Sequence, residues 1–215
     1  MSKHDIKFNL IRHFGPSIFH AKIPVQIIEI LNNYMDEIIK DNEKQKKYDH
    51  GNNLVGDVTE ELTLDRELIE KSGWLNFLSK CTHKWIELTT GKKIKKFNLI
   101  ETWIVRQFKN EYNPTHWHGG HISGAGFLKV PKNLGEYKQK KNKNHYVGGN
   151  LQFVHGSRMF LCDSKLSIKP EVGDFFFFPN YLMHQVFPFK DSNEERRSIS
   201  FNAFIDEEIY DVYSN

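Results

Sequence analysis

Two textures divide the chain. From Ile6 to Pro24, "IKFNLIRHFGPSIFHAKIP" alternates apolar and polar positions, which predicts one or two strands. The period then lengthens. In "PVQIIEILNNYMDEIIKDNEK", Ile27, Ile28, Leu31, Met35, Ile38 and Ile39 form one helical stripe, and Pro24 suits a first turn. A polar break, "KKYDHGNNLVGD", precedes a second helical pattern over Asp65–Thr90, with Leu68, Leu75, Leu78, Trp85 and Leu88 as its stripe and Gly91 as its stop. From Lys96 onward the pattern is β. "FNLIETWIVRQF", "ISGAGFLKV", "GNLQFVHG", "RMFLC", "KLSIKP", "GDFFFFP", "HQVFPF" and "RRSISFNAFI" are short apolar or alternating runs punctuated by Gly, Pro, Asn and Asp. Strands this short and dense predict a sandwich, jelly roll or barrel, and helices ahead of an antiparallel sheet pack on one face of it. The expected class is α+β. A single domain over 1–215 is expected, with N-terminal strand and helices to about 95 and a β core from about 96.

Composition narrows the classes. The chain has 215 residues, 39% hydrophobic and 13% aromatic, enough for a real core. Formal charge is +3, near balance, and much of the excess sits in Lys132–His145, "KNLGEYKQKKNKNH". Tyr137 is the one aromatic amid the lysines, so the run reads as a solvated loop rather than a nucleic-acid patch. Cys81 and Cys162 are far apart and lack CxxC spacing, which fits a reducing compartment. Charges interrupt every short apolar run near the N-terminus, so no signal peptide is read there, and no run approaches the ~20 residues that span a bilayer. A soluble, cytoplasmic protein is expected, with no membrane partner.

The chemistry gathers in "NPTHWHGGHISG", Asn113–Gly124, where His116, His118 and His121 crowd together without an acidic residue. On an extended strand His116 and His118 share a face, and Trp117 points the other way. Two glycines loosen the register before His121, which is assigned to pocket lining or surface. A third metal ligand must come from elsewhere, and His184 after the aromatic strand is the best placed. Further on, alternation puts Arg196, Ser198, Ser200 and Asn202 on one face and Arg197, Ile199 and Phe201 on the other. An arginine and a hydroxyl two residues apart make a fork for an acidic group. Arg197 is expected to be solvated beside the acidic "DSNEERR" turn.

The series "HWH", "GGNLQF", "KPEVGDFFFFPNYLMHQVFP" and "ERRSISFN" resembles the iron(II)- and 2-oxoglutarate-dependent oxygenases, and most of all a small branch found in phage and bacterial genomes. The resemblance covers about Trp103–Phe204. It implies a double-stranded β-helix, Fe(II) as cofactor, 2-oxoglutarate and O2 as co-substrates, and oxidative decarboxylation to succinate coupled to hydroxylation of a substrate the sequence does not identify. Carried over residue by residue, His116 and His184 become metal ligands, Arg196 the partner of the far carboxylate of 2-oxoglutarate, and Ser198 its helper hydroxyl. Tyr112 and Gln107 are weaker candidates for the same pocket.

The departure from the family is His118, which stands where commoner members carry a carboxylate. The next acidic residue is Glu136, beyond the strand. Three histidines, His116, His118 and His184, are the favoured metal set. In a second reading His118 is the first ligand and "HGG" places a glycine at the carboxylate position, as in related halogenases. A third is a degenerate site. Two other classes compete: a cupin-like three-histidine metalloenzyme that never uses 2-oxoglutarate, and a jelly-roll binding protein without catalysis.

Overall fold

The computed structural model describes residues 7–11, 15–51, 56–138 and 145–212. Among the described residues eleven strands build two antiparallel sheets. The larger joins β1 (Phe8–Ile11), β2 (Ile18–Lys22), β9 (Asp174–Pro179), β6 (Ile122–Lys129), β11 (Arg196–Ile205), β4 (Phe97–Gln107) and β3 (Glu60–Thr63), in that spatial order. The smaller runs β5 (Asn113–His116), β10 (Met183–Val186), β7 (Leu151–Val154) and β8 (Lys165–Ile168). This is a jelly roll, one of the architectures that the short strands allow and the one that the resemblance implies, with helices added to one face. Strands from both ends of the chain share the large sheet.

Two apolar layers follow from strand alternation. Phe175 and Phe177 join a core with Leu31 and Met35 of α1 (Val25–Ile38) and Trp74, Phe77 and Leu78 of α4 (Trp74–Thr90). Phe176 and Phe178 point to the other side and pack with Phe127 and with Leu151 and Phe153 of the small sheet. The unbroken run of four phenylalanines is therefore a strand buried on both faces. Burying each ring is worth about 2–3 kcal/mol of transfer free energy.

The helical pattern over Asp65–Thr90 is two helices. α3 (Arg66–Lys71) and α4 are separated at Gly73, whose φ of 82° is a left-handed conformation suited to glycine. Gly91 caps α4 with φ 73°. Trp74, Phe77 and Cys81 are buried, whereas Leu88 of the expected stripe is exposed, so the buried face lies further round than the spacing implied. The first helical run continues past α1 into α2 (Asn42–Tyr48), N-capped by Asp41, which ends inside the polar break; the edge strand β3 that follows was not anticipated. Residues 52–55 of that break lie outside the described residues. The expected strand "RMFLC" is a turn closed by a Met159–Cys162 bridge, with Met159, Phe160 and Leu161 exposed. It lies at the tip between β7 and β8, beyond the second sheet, so nothing is available to bury it. A short helix, α5 (Glu207–Tyr210), follows β11.

Candidate functional site

His116 is the last residue of β5 and lies opposite His184 of β10 in antiparallel register, which joins the HxH turn to the distal histidine. His118 follows the strand. Asn180 fixes its backbone from both directions: the Asn180 carbonyl accepts from the His118 N–H at 3.0 Å, and the Asn180 amide donates to the His118 carbonyl at 3.2 Å. Trp117, between the two histidines, is 65% exposed, as alternation requires. One candidate ligand atom from each of His116, His118 and His184 lies within 4.8 Å of the others.

The ring tautomers follow from their partners. His116 Nδ1 lies 2.7 Å from the Pro114 carbonyl and His184 Nδ1 lies 3.0 Å from the Leu182 carbonyl. A carbonyl only accepts, so each Nδ1 carries the proton and each Nε2 presents a lone pair. The Nε2 atoms of His118 and His184 approach to 3.2 Å, a spacing that needs a proton or a cation between them. Burial pushes all three pKa values down, that of His118 to about 3, with the His116 charge adding to the effect. The rings are thus neutral at pH 7, the form that binds metal.

A cavity of about 130 Å³ is lined by all three histidines and by Arg196, Ser198 and Ser200. Arg196 is 2% exposed, and burial pulls its pKa down to about 9. Its Nη1 donates to Gln107 Oε1 at 3.0 Å and to Ser198 Oγ at 3.3 Å, its guanidinium lies 4.9 Å from the centre of the Phe127 ring, and its Nε has no partner among the described residues. Among the described residues no carboxylate comes within ion-pair distance of it. A buried guanidinium without a counter-ion is costly and is ordinarily compensated by an anion.

Other expectations fare differently. Gln107 is buried and orients Arg196 rather than lining the cavity. Tyr112 is 43% exposed and pairs through its backbone with Asp57, away from the cavity wall. Arg197 is not solvated. It is 1% exposed and bound to Glu195, to Asp36 and to Asn32 of α1, because its strand face looks into the helix layer, where only partners on α1 and the neighbouring strands can satisfy it. His121 is neither pocket lining nor surface. It is 6% exposed, stacks on Tyr210 at 3.8 Å, accepts at Nδ1 from the Ile205 N–H and lies 3.3 Å from Glu207, so it tethers the C-terminal segment. Of the basic run, 139–144 lie outside the described residues, and Lys132, Asn133 and Glu136 are no part of the cavity wall.

The same wall holds residues that sequence reasoning missed: His50, Glu61, Glu101 and Trp103. Trp103 and Glu101 share the face of β4 that carries Val105 and Gln107, a parity readable once β4 is paired with β11. Glu61 had no such signal, since β3 itself was unforeseen.

The antiparallel jelly roll thus gathers three neutral imidazoles and a buried guanidinium around one cavity. Residues 101–202 match the family described as "Putative 2OG-Fe(II) oxygenase", so this span is similar to the 2-oxoglutarate-dependent iron oxygenases. Similar solved structures include a Pseudomonas putida prolyl-4-hydroxylase (13% identity, 91% of each chain covered, TM-score 0.53). A viral collagen prolyl hydroxylase from Paramecium bursaria Chlorella virus-1, in complex with 2-oxoglutarate, aligns at 17% identity over 91% of this chain and 94% of that one, TM-score 0.51. A Trichoplax adhaerens prolyl hydroxylase bound to a hypoxia-inducible-factor peptide gives 16% identity, 97% and 87% coverage, and a TM-score of 0.51. At these identities the likeness concerns the fold. No curated relative matches the chain. Among the described residues no helix is long and apolar enough to cross a membrane.

Proposed function

We propose that this enzyme couples oxidative decarboxylation of 2-oxoglutarate to succinate with hydroxylation of a second substrate, and that His116, His118 and His184 hold its Fe(II). Arg196, with Ser198 beside it, receives the far carboxylate of 2-oxoglutarate. The observation that carries the reading is Arg196 itself: a buried cation lining the histidine cavity, with an unpartnered Nε and no carboxylate of the described residues in reach. The donor set fits the metal, because three neutral Nε2-type ligands suit divalent iron and leave coordination positions open. With three imidazoles the site carries one negative charge less than a site with two histidines and a carboxylate.

The chain's own groups have separable tasks. The Pro114 and Leu182 carbonyls hold the Nδ1 protons of His116 and His184 and so keep the lone pairs aimed inward. Gln107 fixes one arm of Arg196 and Phe127 shields its face, so the guanidinium is preorganised for a planar carboxylate. Bound iron would supply O2 activation. The convergence of both HxH imidazoles with His184 favours the three-histidine set over the glycine-vacancy halogenase reading. The buried arginine favours a 2-oxo-acid enzyme over a cupin-like one, which would not need it. Strands from both ends of the chain in one sheet support treating 1–215 as one domain.

The test is anaerobic loading with Fe(II), addition of 2-oxoglutarate, exposure to O2, and measurement of succinate. Succinate that depends on both His184 and Arg196 is expected. Absence of both succinate and iron-dependent 2-oxoglutarate binding would falsify the assignment.

A further inference from the structure

The cavity wall has an acidic side that the chemistry above does not use. Glu61 is 6% exposed, lines the cavity, and has no side-chain partner among the described residues. Glu101 lines it too, accepting from the Asn202 amide at 2.8 Å and lying 3.6 Å from His50 Nε2. Trp103 stands between them on the same sheet face, stacked on His50 at 5.8 Å. Register places these groups apart from the arginine. Glu61 lies opposite Val105, and Val105 opposite Ser198, so Glu61 sits two strands from Ser198, about 10 Å away. Arg196 neutralises neither carboxylate.

We infer that this wall selects a substrate carrying an alkylammonium group, held by Glu61 with Glu101 as a second charge and Trp103 as an aromatic side wall. This rests on the oxygenase reading, since it names the substrate class of that same cavity. A buried carboxylate without a donor is costly, as is a buried guanidinium without an acceptor, and one cavity contains both. The guanidinium fits the anionic co-substrate, and the carboxylate fits a cation. Burial, with the Glu101 charge adding to it, pushes the Glu61 pKa up to about 7, as expected for a carboxyl that lacks its counter-ion. An indole face beside carboxylates is a recognised setting for ammonium groups. The ammonium could arrive on a free amino acid or on a side chain of a peptide.

Calorimetric titration of the anaerobic Fe(II)-loaded protein with 2-oxoglutarate, then with L-lysine, a capped lysine tripeptide, and the norleucine counterpart of each, tests this. At least one lysine ligand should bind tenfold or more tightly than its norleucine counterpart, and which one binds identifies the source. Glu61→Gln should remove that preference and Glu61→Asp should restore part of it, with thermal unfolding confirming that both variants fold. Equal affinity for lysine and norleucine ligands, or a preference that survives in Glu61→Gln, overturns the inference while 2-oxoglutarate binding leaves the oxygenase reading standing. Failure of 2-oxoglutarate to bind wild-type protein overturns that reading and the substrate class with it.

Discussion

At the residue scale, neighbours on one strand do opposite work. Arg196 and Arg197 are adjacent, yet one faces the cavity without a counter-ion and the other is locked to Glu195 and Asp36 behind the sheet. Arg196→Ala should weaken 2-oxoglutarate binding by about 100-fold, corresponding to loss of a charge-assisted pair worth about 3 kcal/mol, with little change in unfolding temperature. Arg197→Ala should instead cost about 3 kcal/mol of stability, because breaking a buried ion pair strands its carboxylates. Titration of each variant alongside its melting curve separates the two roles. Glu61 gives the opposite signature. Its carboxyl titrates near 7 in the fold against 4.5 ordinarily, so the stability present below pH 4.5 is lost as pH rises towards 7. Glu61→Gln removes that loss, and denaturant unfolding should show the variant gaining on wild type between pH 4.5 and 8, by at most about 3 kcal/mol. An identical pH slope in both proteins would contradict the burial argument.

At the scale of elements, the hinge of the site is the meeting of the HxH turn with the Pro179–Leu182 turn. Asn180→Ala removes the amide that holds the His118 carbonyl while leaving the three imidazoles intact. Iron affinity should fall roughly tenfold, with His116→Ala and His184→Ala falling much further, as equilibrium dialysis would show. β6 imposes a different limit. A Cβ on Gly126 would meet the Asp174 carbonyl oxygen at 2.4 Å, and one on Gly124 would meet the Phe201 ring at 2.5 Å. These glycines let β9 and β11 carry large rings beside β6. Gly126→Ala, pressed against backbone, should cost about 1–3 kcal/mol in denaturant unfolding. His116, His118, Arg196 and Ser198 could be read from the sequence because each sits in a motif with period-2 spacing, and His184 because it follows the aromatic strand and its turn. Asn180 lay inside a quoted motif but has no chemistry until the turn brings it against His118. Glu61 was illegible for a stronger reason: it belongs to a four-residue strand whose ladder partner is β4, more than forty residues further on. Arg197 was misjudged because a local acidic turn suggested solvent, whereas its partner Asp36 comes from a helix distant in sequence.

At the scale of the molecule, the helix layer is pinned to the sheet by charge as well as by apolar packing. Asp36 on α1 accepts from both Arg197 and Lys129, and Glu195 accepts from Arg106 and Arg197. These partners outweigh burial and hold both carboxyls below their ordinary range. Depressed values mean that their stabilisation is complete above the ordinary carboxylate range and is lost as pH falls through the lowered values. Melting temperature should therefore drop steeply below about pH 4, and Arg197→Met should make that drop shallower.

The doubly buried strand β9 also has a consequence in time. Its neighbours are β2, some 150 residues earlier, and β6, about 50 residues earlier. The phenylalanine strand cannot bury either face until those distant segments have met it, and closing loops of that length makes folding slow, on the scale of milliseconds to seconds for topologies of this kind. During synthesis β1 and β2 leave the ribosome long before β9 exists. They must wait as an unpaired apolar hairpin, so nascent chains stalled before residue 174 are where chaperone dependence and aggregation of this protein should concentrate.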